Sequence, residues 1–338
     1  MYAELEGEAG NKRWRAAMNA KPLVSIAAMT ARRITGAAIA ATGLFLVAAC
    51  SSPQVRTRSA AMQDASDAQL KAAEKLGLPV EKTLPKSGIV LRLIPAGTFA
   101  MGSTRSERDA VIDSVPEGVR LELRKLLDRE TQHKVTLSTP FYIGKYEVTQ
   151  GQWKKAMGKN PSCFTNAGDT APVEMVSWND CTRFMEKLAV LERMPKGSFR
   201  LPTESEWEYA CRAGSKTAFC YGDDLDSSMA NFNGNYPYGR GKKGEYRQKT
   251  VSVGHFEPNG WGLYDMHGNV WEWCADWYGE YREEAVAPRG PATGSGRVTR
   301  GASWNIFAAY CRSANRYYRE PGLAFSHGGF RLVMPAGK

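Results

Sequence analysis

Apolar residues along this chain fall into short runs of two kinds. Ile89-Val90-Leu91-Arg92-Leu93-Ile94 and Gly97-Thr98-Phe99-Ala100-Met101-Gly102 are separated by a turn and predict two strands, and Lys134 to Leu137 predicts a third. Between them, Ser106 to Arg129 is charged, helix-compatible and has the character of an insertion. Three helices are marked by a side-chain cap followed three residues later by an acceptor, which satisfies orphan amides reciprocally: Thr149 with Gln152, Ser177 with Asp180, and Thr203 with Glu206. Spacings of three and four then gather Trp153, Ala156 and Met157 on one face, Cys181, Phe184, Met185 and Leu188 on a second, and Trp207, Ala210 and Cys211 on a third. An Ala/Leu/Lys stretch from Ser66 to Leu76 predicts a short helix stopped by Gly77 and Pro79. Beyond Gly214 periodicity fades into Gly, Asn, Asp, Tyr and Trp, as in Pro258-Asn259-Gly260-Trp261-Gly262. Such a stretch has to be ordered by aromatic packing, disulfides or metal.

The first fifty residues have another logic. Arg32 and Arg33 precede a run of small and apolar residues from Ile34 that ends at Val47-Ala48-Ala49-Cys50. The run is short for a membrane span, which takes about 20 apolar residues, and reads as an export signal. Its end resembles a bacterial lipobox, which implies lipid on Cys50 and a protein held at a membrane by several acyl chains. Ser51 in place of Asp resembles outer-membrane sorting, so the expected location is the bacterial cell envelope, facing the periplasm. Three Glu before residue 29 suit an export leader poorly and suggest Met29 as the start. The expected organisation is a leader at 1–49, an anchor, tether and short helix at 50–84, and one domain at 85–336.

Composition changes this picture only in part. The chain has 338 residues, and 45 Lys and Arg against 35 Asp and Glu give a formal charge of +10. Removing the first fifty residues, with six basic and three acidic side chains, leaves +7. No long basic run remains, so a solvated basic surface is expected and no nucleic-acid partner.

Phe199-Arg200-Leu201-Pro202-Thr203-Glu204-Ser205-Glu206-Trp207-Glu208-Tyr209-Ala210 and Gly262-Leu263-Tyr264-Asp265-Met266-His267-Gly268-Asn269-Val270-Trp271-Glu272-Trp273 closely resemble motifs of the formylglycine-generating enzyme family, also called sulfatase-modifying factors. Ile94-Pro95-Ala96-Gly97-Thr98-Phe99, Glu147-Val148-Thr149, Arg300-Gly301-Ala302-Ser303-Trp304 and Gly329-Phe330-Arg331 follow in family order. The resemblance implies an α+β fold of the modified C-type-lectin-like kind, loop-rich, with small antiparallel sheets and short helices. Fold does not fix activity, because the family includes oxidases, sulfur-transfer enzymes and members of unknown role.

The resemblance also implies sites. The family's oxidases hold Cu(I) between two thiolates four residues apart, and here Cys311 falls at the second position while Ile306 occupies the first. Ile offers no lone pair, so copper is not expected. Ser303 and Trp271 match pocket-lining positions. Iron is not expected either, since His133, His255, His267 and His327 are isolated and read as surface or turn residues. Calcium is the expected cofactor: Asp265, Gly268, Val270 and Glu272 match a loop site of hard oxygen ligands, and Asn231 and Phe232 match half of a second one.

Without Cys50, six cysteines remain, 163, 181, 211, 220, 274 and 311, which in an oxidising compartment allow up to three disulfides. Cys211 and Cys220 flank a short loop and could pair, while Cys181 lies on a helix face. Gly301-Ala302-Ser303 lacks the second Gly of a nucleophile elbow, and Asp223-Asp224 reads as a solvated turn. Two functions stay open: an accessory module binding a peptide, glycan or envelope protein, and a formylglycine-type oxidoreductase with a non-standard metal arrangement.

Overall fold

The computed structural model describes residues 65–115, 117–281 and 283–337; Cys50, the leader and the start of the tether lie outside them. Hydroxyl caps start α1 (Asp67–Leu76) at Ser66 and α2 (Arg105–Asp113) at Thr104; after α3 (Glu117–Leu127) they start α4 (Gln150–Met157) at Thr149, α5 (Trp178–Glu192) at Ser177 and α6 (Glu204–Arg212) at Thr203. In each capped helix the third residue returns its side chain to the cap amide, closing the reciprocal pair. The charged stretch from Ser106 is thus two helices, α2 and α3. Among the described residues no helix is long and apolar enough to cross a membrane.

Three small sheets carry the rest. The first orders β1 (Glu81–Thr83), β2 (Val90–Ile94), β5 (Phe141–Gly144) and β11 (Val333–Pro335), all antiparallel. The second joins β3 (Gly97–Met101), β4 (His133–Leu137) and β7 (Glu284–Val286). The third runs β10 (Gly328–Gly329), β6 (Trp271–Trp277), β8 (Arg297–Arg300) and β9 (Arg316–Arg319). Sheets built only of antiparallel pairs were expected; β4 with β7 and β10 with β6 are parallel, which the long connections between these segments permit. The fold is α+β, as expected.

Two apolar cores seat these elements. Trp153 of α4 stacks on Phe184 of α5 at 5.2 Å, and both meet Phe330, packing the α4–α5 pair against the first sheet and Trp273. Trp207 and Ala210 of α6 bury against Ile94, Val135, Leu263 and Val298. Each large apolar side chain so buried stabilises the fold by about 1.5–3 kcal/mol.

Residues 213–270 contain no helix or strand, yet they are ordered by side chains acting on backbone. Asn259 donates Nδ2 to the carbonyls of Ala210 and Cys211 and accepts the amides of Trp261 and Leu263 on Oδ1. Gly262 sits at φ +71°, where a Cβ would lie 2.7 Å from the Arg92 guanidinium. Buried ion pairs cross-link the loops: Arg312 holds Glu130 at 2.9 and 3.0 Å, and Arg300 reaches Glu208 from the neighbouring strand.

Candidate functional site

Three carboxylates and one guanidinium meet below the loop that follows residue 262. Arg331 grips Glu272 with Nε on Oε2 and Nη2 on Oε1, each at 2.6 Å, and Trp207 Nε1 adds a third bond to Oε2 at 2.7 Å. Asp265, at φ +56°, uses Oδ2 to accept the Gly254 amide at 2.7 Å, while Oδ1 is buried with no partner. Glu147 accepts Asn269 Nδ2 on Oε2 at 2.9 Å, and its Oε1 is also buried without a partner. Burial raises the Asp265 carboxyl to about 6. Burial, reinforced by the charges of Asp265 and Glu272, also raises Glu147. One guanidinium cannot neutralise three carboxylates, so the cluster favours either protons or a further cation.

The backbone of this cluster leads to Asn231. Gly268 has φ +90°, and a Cβ there would fall 2.3 Å from the Asn231 carbonyl, which Asn269 N bonds at 2.8 Å. Asn231 donates Nδ2 to Asn269 Oδ1 at 3.0 Å and leaves Oδ1 buried without a partner. Phe232 and Val270 are fully buried, so their side chains serve packing. The structure therefore brings Asp265, Gly268, Glu272 and Asn231 into one neighbourhood and adds Glu147 and Asn269, which the sequence reading placed in no site. Glu147 and Asn269 lie 122 residues apart and meet only in the fold, so no local pattern marks them.

Asn269 also connects to an aromatic surface. Its carbonyl accepts Trp304 N at 3.0 Å. Trp304 stacks with Tyr246 at 6.3 Å and meets Phe164 edge-on at 5.4 Å; all three are half-buried. Ser303 is buried with Oγ on Asn305 Oδ1 at 2.8 Å, and Trp271 packs on Tyr317 at 5.9 Å. Ile306 is half-buried and tied through its carbonyl to Asn233 N at 2.9 Å. Beside Phe307 a recess of about 200 Å³ is lined by Tyr236, Lys243 and Val115 among others. Cys311 ends a short turn, is 0% exposed, and points its Sγ toward the Phe307 carbonyl at 3.9 Å. Burial pushes its thiol well above the usual range.

The cysteines differ from the disulfide expectation. All six among the described residues carry free thiols: Cys163 is exposed, Cys220 half-buried, and the other four buried. Cys181 and Cys274 each sit within an apolar core. Cys211 and Cys220 instead meet His267, whose Nε2 lies 3.8 Å from Cys211 Sγ and accepts the Cys220 amide at 3.1 Å. His267 is not a surface residue; it is buried, with Nδ1 on the Cys311 carbonyl at 2.7 Å. Asp223 lies in a bend just after the turn at 220–221, and Asp224 is paired to Arg240 at 2.8 Å.

A loop-rich α+β domain with these motifs around one buried acid cluster defines a sulfatase-modifying-factor type of protein. Residues 79–336 match the Sulfatase-modifying factor enzyme 1-like domain, and the chain belongs to that family. The formylglycine-generating enzyme of Mus musculus is 32% identical over 211 residues, covering 60% of this chain and 53% of that protein. The chaperone protein LppX of Paenibacillus barcinonensis is 32% identical over 212 residues, covering 50% of this chain and 71% of that one. Among solved structures, Treponema denticola variable protein 1 superposes with a TM-score of 0.59 at 27% identity, covering 76% of this chain and 99% of that one. The chain spans about half the length of the mouse relative and 65% of the formylglycine-generating enzyme of Thermomonospora curvata.

Proposed function

We propose that this chain is a lipid-anchored envelope protein whose sulfatase-modifying-factor domain binds a protein segment at its aromatic surface and lacks the family's two-thiolate copper chemistry. The observation that carries this reading is the pairing of Ile306 with a fully buried Cys311. A soft two-thiolate site needs two accessible, deprotonated sulfurs. Ile306 has none to give, and Cys311 is fully buried, with its thiol pushed up by that burial. The donor set does not fit copper, and no oxidative step is assigned to it. Half-buried Trp304, Tyr246 and Phe164, with the recess beside Phe307, offer ring faces and a hole of mixed lining suited to side chains of a bound segment. Likeness to a protein named as a chaperone supports a protein ligand over a glycan.

Calcium is the proposed cofactor of the acid cluster. The unpartnered Oδ1 of Asp265 and Oε1 of Glu147 are hard donors in a site with excess negative charge, which suits Ca²⁺. Gly268 and Val270 would add carbonyls. Glu272, already held by Arg331, would contribute charge more than a free oxygen pair. Bound calcium would fix the loop that carries Asn269 and Trp304.

A second reading, oxidation of a substrate cysteine through a different metal arrangement, is favoured by the identity to formylglycine-generating enzymes. Anaerobic titration of residues 51–338 with Cu(I) separates the two. The binding reading expects no stoichiometric copper; one equivalent, lost in Cys311→Ser, would support the oxidase.

A further inference from the structure

Away from the aromatic surface, a cavity of about 380 Å³ opens between β4, β6, β7 and the start of α6. That volume falls in the range of small-ligand sites, roughly 300–1,000 Å³. Its buried polar end is Asp276 of β6, which is 4% exposed. Oδ2 accepts the Glu204 backbone amide at 2.8 Å, and Oδ1 accepts no hydrogen bond among the described residues.

Arg316 is committed elsewhere, whereas Arg297 keeps its buried Nε without a partner. Arg316 of β9 places Nε and Nη2 on Glu204 at 2.8 and 2.6 Å and Nη1 on the carbonyls of Gly279 and Arg129 at 2.8 and 3.3 Å. Its guanidinium also faces Tyr278 and Tyr281 at 4.4 and 3.9 Å. Arg297 of β8 donates Nη1 to the Ala275 carbonyl at 2.6 Å and lies over Trp178 and Trp277. Glu204 and Glu206 of α6 add negative charge near Asp276, while His133, Glu280 and Arg289 complete the ionisable lining. Burial first, then the Glu204 charge, raises the Asp276 carboxyl to about 7. A buried carboxylate of this kind is stabilised by a cation that can donate to its free oxygen. Met101, Val286, Pro288 and Pro291 give the cavity an apolar wall.

We propose that this cavity binds a small alkyl primary amine, its ammonium donating to Oδ1 of Asp276 and its alkyl part lying against Met101, Val286 and Pro291. The site is independent of the aromatic surface and of the Asp265 cluster.

Calorimetric titration of the full chain with n-butylammonium, against n-butanol as the uncharged probe, tests the assignment. The amine binds saturably and the alcohol about tenfold more weakly or worse, since a charge-assisted hydrogen bond is lost. Amine affinity rises as pH increases through about 7, where Asp276 ionises while the amine stays protonated. Asp276→Asn keeps an oxygen for the Glu204 amide and loses about tenfold in amine affinity. Val286, 71% exposed at the cavity mouth, gives an independent variant: Val286→Trp obstructs entry without touching Asp276, so it decides the matter even where Asp276→Asn does not fold. Equal affinity for amine and alcohol, unchanged binding in both variants, or no saturable amine binding would overturn the proposal.

Discussion

Asn269 donates its side-chain amide to Glu147 at 2.9 Å and accepts the Trp304 amide on its carbonyl at 3.0 Å. One residue with a left-handed φ of +60° thus ties the acid cluster to the aromatic surface. Asn269→Ala removes the donor to a buried carboxylate and costs about 1–3 kcal/mol of stability. Chemical denaturation followed by tryptophan emission checks this, and a change of less than about 0.5 kcal/mol would contradict the link.

The pH dependence of the cluster follows from the direction of its shifts. Asp265 is raised to about 6 in the folded state, and Glu147 is raised too. A carboxyl raised on folding contributes stability that is complete below its unfolded pKa, about 3.9 for Asp, and is lost as pH climbs through the folded value. The metal-free protein therefore loses stability from these groups between about pH 4 and 7. Calcium bound there, as proposed, would displace the protons, so its stabilising effect should be larger at about pH 7.5 than at about pH 5. Melting curves with calcium and with chelator at both pH values test this. Asp265→Asn should leave little calcium shift at either pH; an undiminished shift would remove Asp265 from the site.

Arg331 is the sole guanidinium bonded to Glu272 among the described residues, with two hydrogen bonds at 2.6 Å in a buried setting. Arg331→Met leaves that carboxylate unpaired and should cost about 3–5 kcal/mol, read from the denaturation midpoint. The paired change Arg331→Met with Glu272→Gln should recover part of the loss, because it removes the stranded charge.

The proposed lipid anchor is tested in cells. Labelled palmitate should enter the full-length protein and be lost in Cys50→Ala, with the variant leaving the membrane fraction. Label retained in Cys50→Ala would contradict the anchor.

Much of the scaffold was legible because its rules are local. Caps at Thr149, Ser177 and Thr203, and the buried faces around Trp153, Phe184 and Trp207, are written in spacings of three and four. The motifs also carried the family and the neighbourhood of Asp265 and Glu272. What stayed hidden depends on contacts between distant positions. Glu147 meets Asn269 across 122 residues, and Asp276 caps the amide of Glu204 across 72, distances at which no periodicity operates. Cysteine count suggested pairing, but thiol position is set by packing, which places Cys181 and Cys274 in separate apolar cores.

The domain is proposed to bind at its aromatic surface without oxidising what it binds. The most direct test incubates the protein with Cu(I), oxygen, a reductant and a sulfatase-motif peptide, and follows the peptide by mass. The wild-type protein should leave the peptide cysteine unchanged. Conversion of that thiol to an aldehyde, abolished by Cys311→Ser, would contradict it.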